Sequence, residues 1–284
     1  MNDDVIITNQ EKIEATKKRI VADGLAKLQV VSDFDKTLTT CFVNGKKIVS
    51  LISILRDEHY LTPDYSGKAQ ALYDKYHPIE IDPTIPMETK KEKMREWWLE
   101  HYELLAKSGL SKQDLAKVAQ SEKVSLRTGA LVFFDRLKAH DIPLLILSAA
   151  GLGVEAISLY LQKYGKLYGN IHIASNTFVW DENGQMIKAR EPIIHSFNKD
   201  YTSVRNFSFF VGLGDRRNII LLGDSTSDVT MINGFNYDQI IKIGFLNENM
   251  ADQLIAFKDA YDIIILNNGS MDYVNELLKE LLKQ

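Results

Sequence analysis

Val30-Val31-Ser32-Asp33-Phe34-Asp35-Lys36-Thr37-Leu38-Thr39 decides the fold. The apolar, β-branched run that ends at Val31 reads as a buried strand, and it is followed by two carboxylates at spacing i, i+2. The chain is leaving the strand at this point, so both acids can converge at its carboxyl end, where open α/β sheets bind ligands. Two anionic groups held close repel one another unless a cation lies between them, and a divalent metal with oxygen ligands satisfies that need. The plainer reading is a strand end capped by Asp, with Asp35-Lys36-Thr37 as an ordinary turn.

Outward from this strand the chain changes rhythm twice. Before it, Asn9 is a suitable N-cap for a helix whose apolar face carries Ile13, Ile20, Leu25 and Leu28. After it, helical patterns are expected at 48–58, 65–76, 88–107 and 112–122, punctuated by Pro63, Pro78, Pro83, Pro86 and Gly109. From Gly129 onward strands and helices alternate. Strands are expected at 142–147, 171–174, 218–222, 240–243 and 263–266, the third and fourth each followed by a helix. Helices are expected at 131–140, 153–164 and 271–282, and a hairpin turns through Asp181-Glu182-Asn183-Gly184. Strands apolar on both faces and alternating with helices predict a doubly wound, mostly parallel α/β sheet. Residues 1–42 and 128–284 form that core, and 43–127 form an inserted all-helical cap.

Composition narrows the class. The 284 residues are 45% hydrophobic and 25% charged, as expected of a soluble globular chain. A net charge of −4 supplies no basic footprint, which argues against a nucleic acid polymer as partner. No apolar stretch is long enough to span a bilayer, and the acidic N-terminus lacks the apolar core of a signal peptide. The single cysteine, Cys41, fits a reducing compartment. A cytoplasmic monomer without membrane contact is the expectation.

Further chemistry falls at the predicted strand ends. Leu147-Ser148-Ala149-Ala150-Gly151 closes one strand and opens a helix, so the Ser148 hydroxyl and the Ala149 N–H could cradle a phosphate. Small residues also fill tight strand–helix turns for purely steric reasons. Leu222-Gly223-Asp224-Ser225-Thr226-Ser227-Asp228 brings two more acids, one helical turn apart, to the same edge. Either could merely cap the helix, but the excess of acids at one rim favours metal. Lys199, in Phe197-Asn198-Lys199-Asp200, is an ordinary surface charge unless these motifs meet.

Taken together, the four segments resemble the haloacid dehalogenase superfamily of phosphotransferases. Its Asp-x-Asp-x-Thr motif stands here as Asp33-Phe34-Asp35-Lys36-Thr37, followed in order by Ser148, Lys199 and Gly223-Asp224 with Asp228. From about residue 26 to the C-terminus the chain looks like cytosolic 5′-nucleotidase III, the pyrimidine 5′-nucleotidase family. The stretches carrying that likeness are Ile79-Glu80-Ile81-Asp82-Pro83, Glu96-Trp97-Trp98, Ile194-His195-Ser196-Phe197-Asn198-Lys199, 219–224 and Lys242-Ile243-Gly244-Phe245-Leu246-Asn247. Departures are Thr226-Ser227 for the usual Gln-Gly, Ala150 for a usual glycine, a poor match over 42–62, and His101 at or beside a serine the family uses near the base.

The resemblance implies a Mg²⁺-dependent 5′-nucleotidase acting on CMP, UMP or 7-methyl-GMP through an aspartyl-phosphate. Asp33 is then the nucleophile and Asp35 the acid–base. Asp33, the Asp35 carbonyl and Asp224 hold Mg²⁺, while Ser148, Ala149 and Lys199 hold the phosphoryl oxygens. Asp228 orients a metal-bound water and Thr37 positions the first loop. Glu80, in a turn before Asp82-Pro83, would read the base with Trp97, Trp98 and His101. The adjacent tryptophans resemble the 7-methylguanosine-phosphate-hydrolysing branch. Two alternatives stay open, a phosphatase of phosphoserine or sugar-phosphate type on the same core and a catalytically silent nucleotide-binding module; a P-type ATPase also carries Asp-Lys-Thr, but that reading needs membrane spans absent from this sequence.

Overall fold

The computed structural model describes residues 4–200, 213 and 215–283. A seven-stranded sheet runs β1 (Val5–Ile7), β11 (Ile263–Leu266), β10 (Gln239–Leu246), β9 (Asn218–Gly223), β2 (Leu28–Ser32), β5 (Leu144–Leu147), β6 (Ile171–Ala174) across its width. Every pairing is parallel except that of β1, which lies antiparallel to β11 at one edge. Strand β2 is central, and its residues alternate between two buried layers. Val30 packs with Leu144, Ile220 and Ile243 on one face, and Val31 with Leu145, Leu221 and Met231 on the other. That alternation explains why the strands read as continuous apolar runs.

Around the sheet lie α1 (Gln10–Asp23), α6 (Ala130–Ala139), α7 (Gly153–Lys163), α8 (Met250–Ala260) and α9 (Asp272–Leu281). Asn9 caps α1 as expected, its side chain accepting from the Lys12 N–H at 2.9 Å. A small hairpin, β7 (Phe178–Trp180) with β8 (Met186–Ala189), lies apart from the main sheet.

Between β2 and α6 come a two-stranded hairpin, β3 (Phe42–Val43) with β4 (Lys46–Lys47), and four helices. These are α2 (Leu51–Asp57), α3 (Tyr65–Ile81), α4 (Met87–Lys107) and α5 (Lys112–Gln120). Their buried faces join the apolar cluster on one side of the sheet, through Leu51, Ile54, Tyr102 and Leu115.

Three expectations change. The N-terminal strand β1 and the β3–β4 hairpin are short elements that the periodicity does not reveal. The helix expected to stop before Pro78 continues through it to Ile81. An internal proline removes one backbone bond at a cost of roughly 3 kcal/mol. Here burial of Tyr76 and its stacking on Trp97 of α4 hold the last turn in place. Finally, the helix expected after β9 is a 3₁₀ segment, Thr226–Ile232.

Candidate active site

The strand order sets the site. Because β2 lies between β5 and β9, the residues just past three adjacent strands share one rim of the sheet. Ser32 is level with Ile146 on one side and Leu222 on the other. Asp33, Ser148 and Asp224 therefore emerge side by side. The Asp33 N–H still donates to the Leu222 carbonyl at 3.0 Å, which fixes where its side chain starts.

The carboxylates of Asp33, Asp224 and Asp228 offer oxygens within 4.8 Å of one another. Lys199 reaches into the same space, its Nζ 2.5 Å from Asp33 Oδ1 and 2.8 Å from Asp228 Oδ1. Asp228 Oδ2 accepts from the N–H groups of Asp224 and Ser225, at 3.0 Å each. Asp228 thus shapes the loop that carries Asp224. Close backbone approach makes this possible: a Cβ on Gly223 would lie 2.5 Å from Asp228 Cβ and 2.6 Å from the Tyr261 hydroxyl.

Charge is crowded here. Burial pushes Asp33 up to about 7 against the pull of Lys199, with Asp228 adding to the rise. Burial, then the charges of Asp228 and Asp33, lift Asp224 well above the carboxylate range. Burial also raises Asp35, against the charges of Lys199 and Lys36. Lys199 loses to burial but gains more from Asp228 and Asp33, so its ammonium is held charged. Crowded, buried carboxylate oxygens are a donor set suited to a hard divalent cation, which would relieve the repulsion that lifts them.

Ser148 lies past the end of β5, buried, its Oγ accepting from the Ala150 N–H at 3.1 Å. Ala149 lies between them on the same loop. Above it, Gly151 touches the inserted helices: a Cβ there would meet Ile52 Cδ1 at 2.4 Å and Trp98 at 2.9 Å. Ile52 and Trp98 also line a cavity of about 500 Å³, together with Arg56, Tyr73, Trp97 and His101. The rings form a ladder, Trp97 stacked between Tyr76 and Trp98 with centroids 5.9 Å apart on each side. His101 is buried with Nε2 3.2 Å from the Tyr65 hydroxyl, and burial pushes its pKa down to about 4, helped by the Arg56 charge.

Two expected site residues sit otherwise. Glu80 is in the last turn of α3 and not in a loop, because α3 runs through Pro78. Its Oε1 accepts from Ser196 Oγ at 2.6 Å and its Oε2 lies 3.1 Å from His77 Nδ1, so it joins the insert to the loop leading to Lys199. Glu80 is absent from the cavity lining. The Thr37 hydroxyl is buried with no hydrogen-bond partner among the described residues, while the Lys36–Thr37 backbone is held by another side chain.

That holder is Arg127, which sequence reasoning passed over. Its guanidinium donates to the carbonyls of Lys36 and Thr37, the latter at 2.7 Å, and to that of Gly269 at 2.6 Å. Tyr261 is the other omission. It donates to the Ser225 carbonyl at 2.5 Å and packs flat against Gly244, where a Cβ would lie 2.6 Å from its ring. The paired glycines at 223 and 244 were the available signal, since adjacent parallel strands both lack a side chain where one ring lies.

The model of the family described as pyrimidine 5′-nucleotidase (UMPH-1) matches residues 36–282. A 7-methylguanosine phosphate-specific 5′-nucleotidase of Gallus gallus is 35% identical over 281 residues, covering 99% of this chain and 96% of its own. A solved cytosolic 5′-nucleotidase IIIB bound to cytidine superposes with a TM-score of 0.88 at 28% identity, over 100% of this chain and 95% of the other. A had family hydrolase of Salmonella enterica superposes with a TM-score of 0.57 at 18% identity, over 91% of this chain and 72% of its own, a likeness of fold. The sheet with its acidic rim and the matches along nearly the whole chain lead to one assignment: the chain belongs to the pyrimidine 5′-nucleotidase family, enzymes built on the haloacid dehalogenase fold.

Proposed function

We propose that this chain hydrolyses nucleoside 5′-monophosphates, CMP, UMP or 7-methyl-GMP, with Asp33 as nucleophile. One observation carries the reading: Asp33 stands at the end of the central strand, touching Lys199, with Ser148 and Asp224 on the flanking strands. Asp33 Oδ attacks phosphorus as the bond to the nucleoside O5′ breaks, and Asp35 gives its proton to that oxygen. A water then attacks the aspartyl-phosphate, Asp35 takes its proton, and Asp33 is released with phosphate. The raised pKa of Asp35 suits a group that must begin as a proton donor.

Ser148, the Ala149 N–H and Lys199 hold the phosphoryl oxygens while charge redistributes over them. Asp33, the Asp35 carbonyl and Asp224 would hold Mg²⁺, with Asp228 fixing the Asp224 loop. The ion supplies neutralisation of the phosphoryl charge. Lys199 and Mg²⁺ are complementary, since neither alone balances three carboxylates and a phosphate.

Residues 43–127 serve as the cap. The contact of Ile52 and Trp98 with Gly151, beside the Ser148 loop, supports a nucleotide whose phosphate lies at the rim and whose base enters the aromatic cavity. The cytoplasm is the proposed compartment, in keeping with the cytosolic relative; no described helix is long and apolar enough to cross a membrane. A phosphate-release screen over nucleoside monophosphates, phosphoserine and sugar phosphates tests the reading. Nucleotides should lead by at least about tenfold in kcat/KM, and a phosphoserine or sugar-phosphate preference would replace it.

A further inference from the structure

Arg127 is 2% exposed, yet no carboxylate among the described residues lies within ion-pair distance of its guanidinium. Its donors go to neutral oxygens: Nε to Thr37 O at 2.7 Å, Nη1 to Gly269 O at 2.6 Å, and Nη2 to Lys36 O and to Asn247 Oδ1 at 3.0 Å. The plane lies over the Phe245 ring, 4.1 Å from its centroid. Asn247 Nδ2 adds a second bond to Lys36 O at 3.1 Å. Burying a cation among neutral groups is costly, and an apolar side chain would fill the space at less expense. What the guanidinium adds is a rigid fork of donors, able to fix several carbonyls at once.

Those carbonyls matter because of where they lie. Lys36 and Thr37 follow Asp35 directly, and Lys36 has φ of +57°, a left-handed conformation that a lysine does not adopt without support. Arg127 also stands where the chain returns from the inserted helices. Its N–H donates to Leu38 O at 2.8 Å, Thr40 N–H donates to Ser125 O at 3.0 Å, and Thr39 bridges Leu126. The outgoing and returning strands of the insert therefore meet at the residue that grips the Asp35 loop.

We propose that Arg127 is a positioning residue: it locks the Lys36–Thr37 backbone to the base of the cap and thereby aims Asp35 at the leaving oxygen. This role rests on the mechanism proposed above, in which Asp35 protonates O5′. Arg127 makes no hydrogen bond or ion pair with the carboxylate cluster, although the Asp224 charge reaches its guanidinium. Its loss should therefore harm the proton transfers that need a well-aimed Asp35, to the leaving oxygen in the first half-reaction and from water in the second.

Leaving groups separate that role from mere packing. A nucleoside 5′-oxygen needs a proton as the P–O bond breaks, whereas p-nitrophenolate leaves without one. Water attack on the aspartyl-phosphate is common to both substrates, so the comparison is made on the first turnover, read by rapid mixing as release of nucleoside or of p-nitrophenolate. In the full-length enzyme with Mg²⁺, Arg127→Met should lower the first-turnover rate for the preferred nucleotide by about tenfold to hundredfold, the scale of a misplaced catalytic group. KM should hold, and first-turnover release of p-nitrophenolate should fall by less than about threefold. Asp35→Asn, assayed alongside, should show the same split more strongly, and Arg127→Lys should recover only part of the nucleotide rate. If Arg127→Met does not fold, as judged by thermal melting, Arg127→Lys supplies the same comparison. Parallel loss of the first-turnover rate on both substrates, or no loss on either, would overturn the proposal. A split in neither Arg127→Met nor Asp35→Asn would instead remove the mechanism on which it rests.

Discussion

The ammonium of Lys199 lies 2.5 Å from Asp33 Oδ1, joining two side chains that are 166 positions apart in sequence. The second contact, 2.8 Å to Asp228, makes Lys199 the counter-charge of a buried acidic cluster. This pair ties Asp33, just past β2, to the loop that α3 reaches, since Ser196, three residues before Lys199, is bonded to Glu80.

Removing that charge should be costly in two separable ways. Lys199→Met leaves Asp33 and Asp228 buried without their shared counter-charge, a change worth roughly 3–5 kcal/mol for a broken buried pair. Melting of the metal-free variant should drop accordingly, and Mg²⁺ should restore part of the stability. Turnover should stay at least about a hundredfold down even with Mg²⁺, as expected for a lost phosphoryl clamp. A stable variant with near-normal kcat would refute the clamp.

Acid and metal should compete for the same oxygens. Folded Asp33 is lifted to about 7, and Asp224 is lifted as well, so below about pH 7 the folded chain holds protons that the unfolded chain has released. Stability of the metal-free protein should therefore fall as pH rises from the ordinary carboxylate range through about 7. A divalent cation replaces those protons, so its thermal shift should grow between about pH 6 and about pH 8. Chelator should abolish turnover and Mg²⁺ should restore it. A metal-induced shift that is independent of pH would contradict the assignment of Asp33 and Asp224 as ligands.

Trp98 and Glu80 should separate base reading from cap docking. Trp98 lines the cavity and touches Gly151, so Trp98→Ala should reduce kcat/KM for nucleotides by roughly 1–3 kcal/mol, the worth of one stacked base. Its effect on p-nitrophenyl phosphate should be slight. Glu80 bonds Ser196 and is outside the cavity lining, so Glu80→Gln should affect both substrates together. A loss confined to cytosine nucleotides would restore Glu80 to the base.

The cavity lining also makes a prediction about the base. Arg56 is a cation on that wall, paired with Asp57 at 3.2 Å and partly open to solvent, and no carboxylate lies among the lining residues. Stacking on Trp98 favours a positively charged base by roughly 0.5–1 kcal/mol, and a screened guanidinium with its own counter-charge opposes it by less. Kinetics with paired substrates should therefore favour 7-methyl-GMP over UMP, and Asp57→Asn, which leaves Arg56 without its counter-charge, should narrow the gap. A preference for UMP that Asp57→Asn leaves untouched would exclude this account.

The placement of the acidic rim was legible because it is local: an apolar strand ending before Asp33, another before Ser148, a third at Gly223-Asp224. Adjacency of the three follows from parallel topology, which the strand–helix alternation already implies. Long-range pairings were not legible. β1 is a three-residue strand whose partner lies at the far end of the chain, and α3 survives Pro78 only through contacts with α4. The mistaken turn placement of Glu80 follows from that proline. Arg127 carried no signal, since a single arginine after Leu126 looks like any solvated charge until Thr37, Asn247 and Gly269 are seen around it.

The central claim, that Asp33 carries the phosphoryl group, is tested most directly by rapid acid quench of the enzyme during turnover of its best nucleotide, followed by peptide mass spectrometry. The account predicts a hydroxylamine-labile phosphoryl group on the Asp33 peptide, and neither label nor turnover in Asp33→Asn. Phosphate release that proceeds with no covalent label, or with the label on another residue, would contradict it.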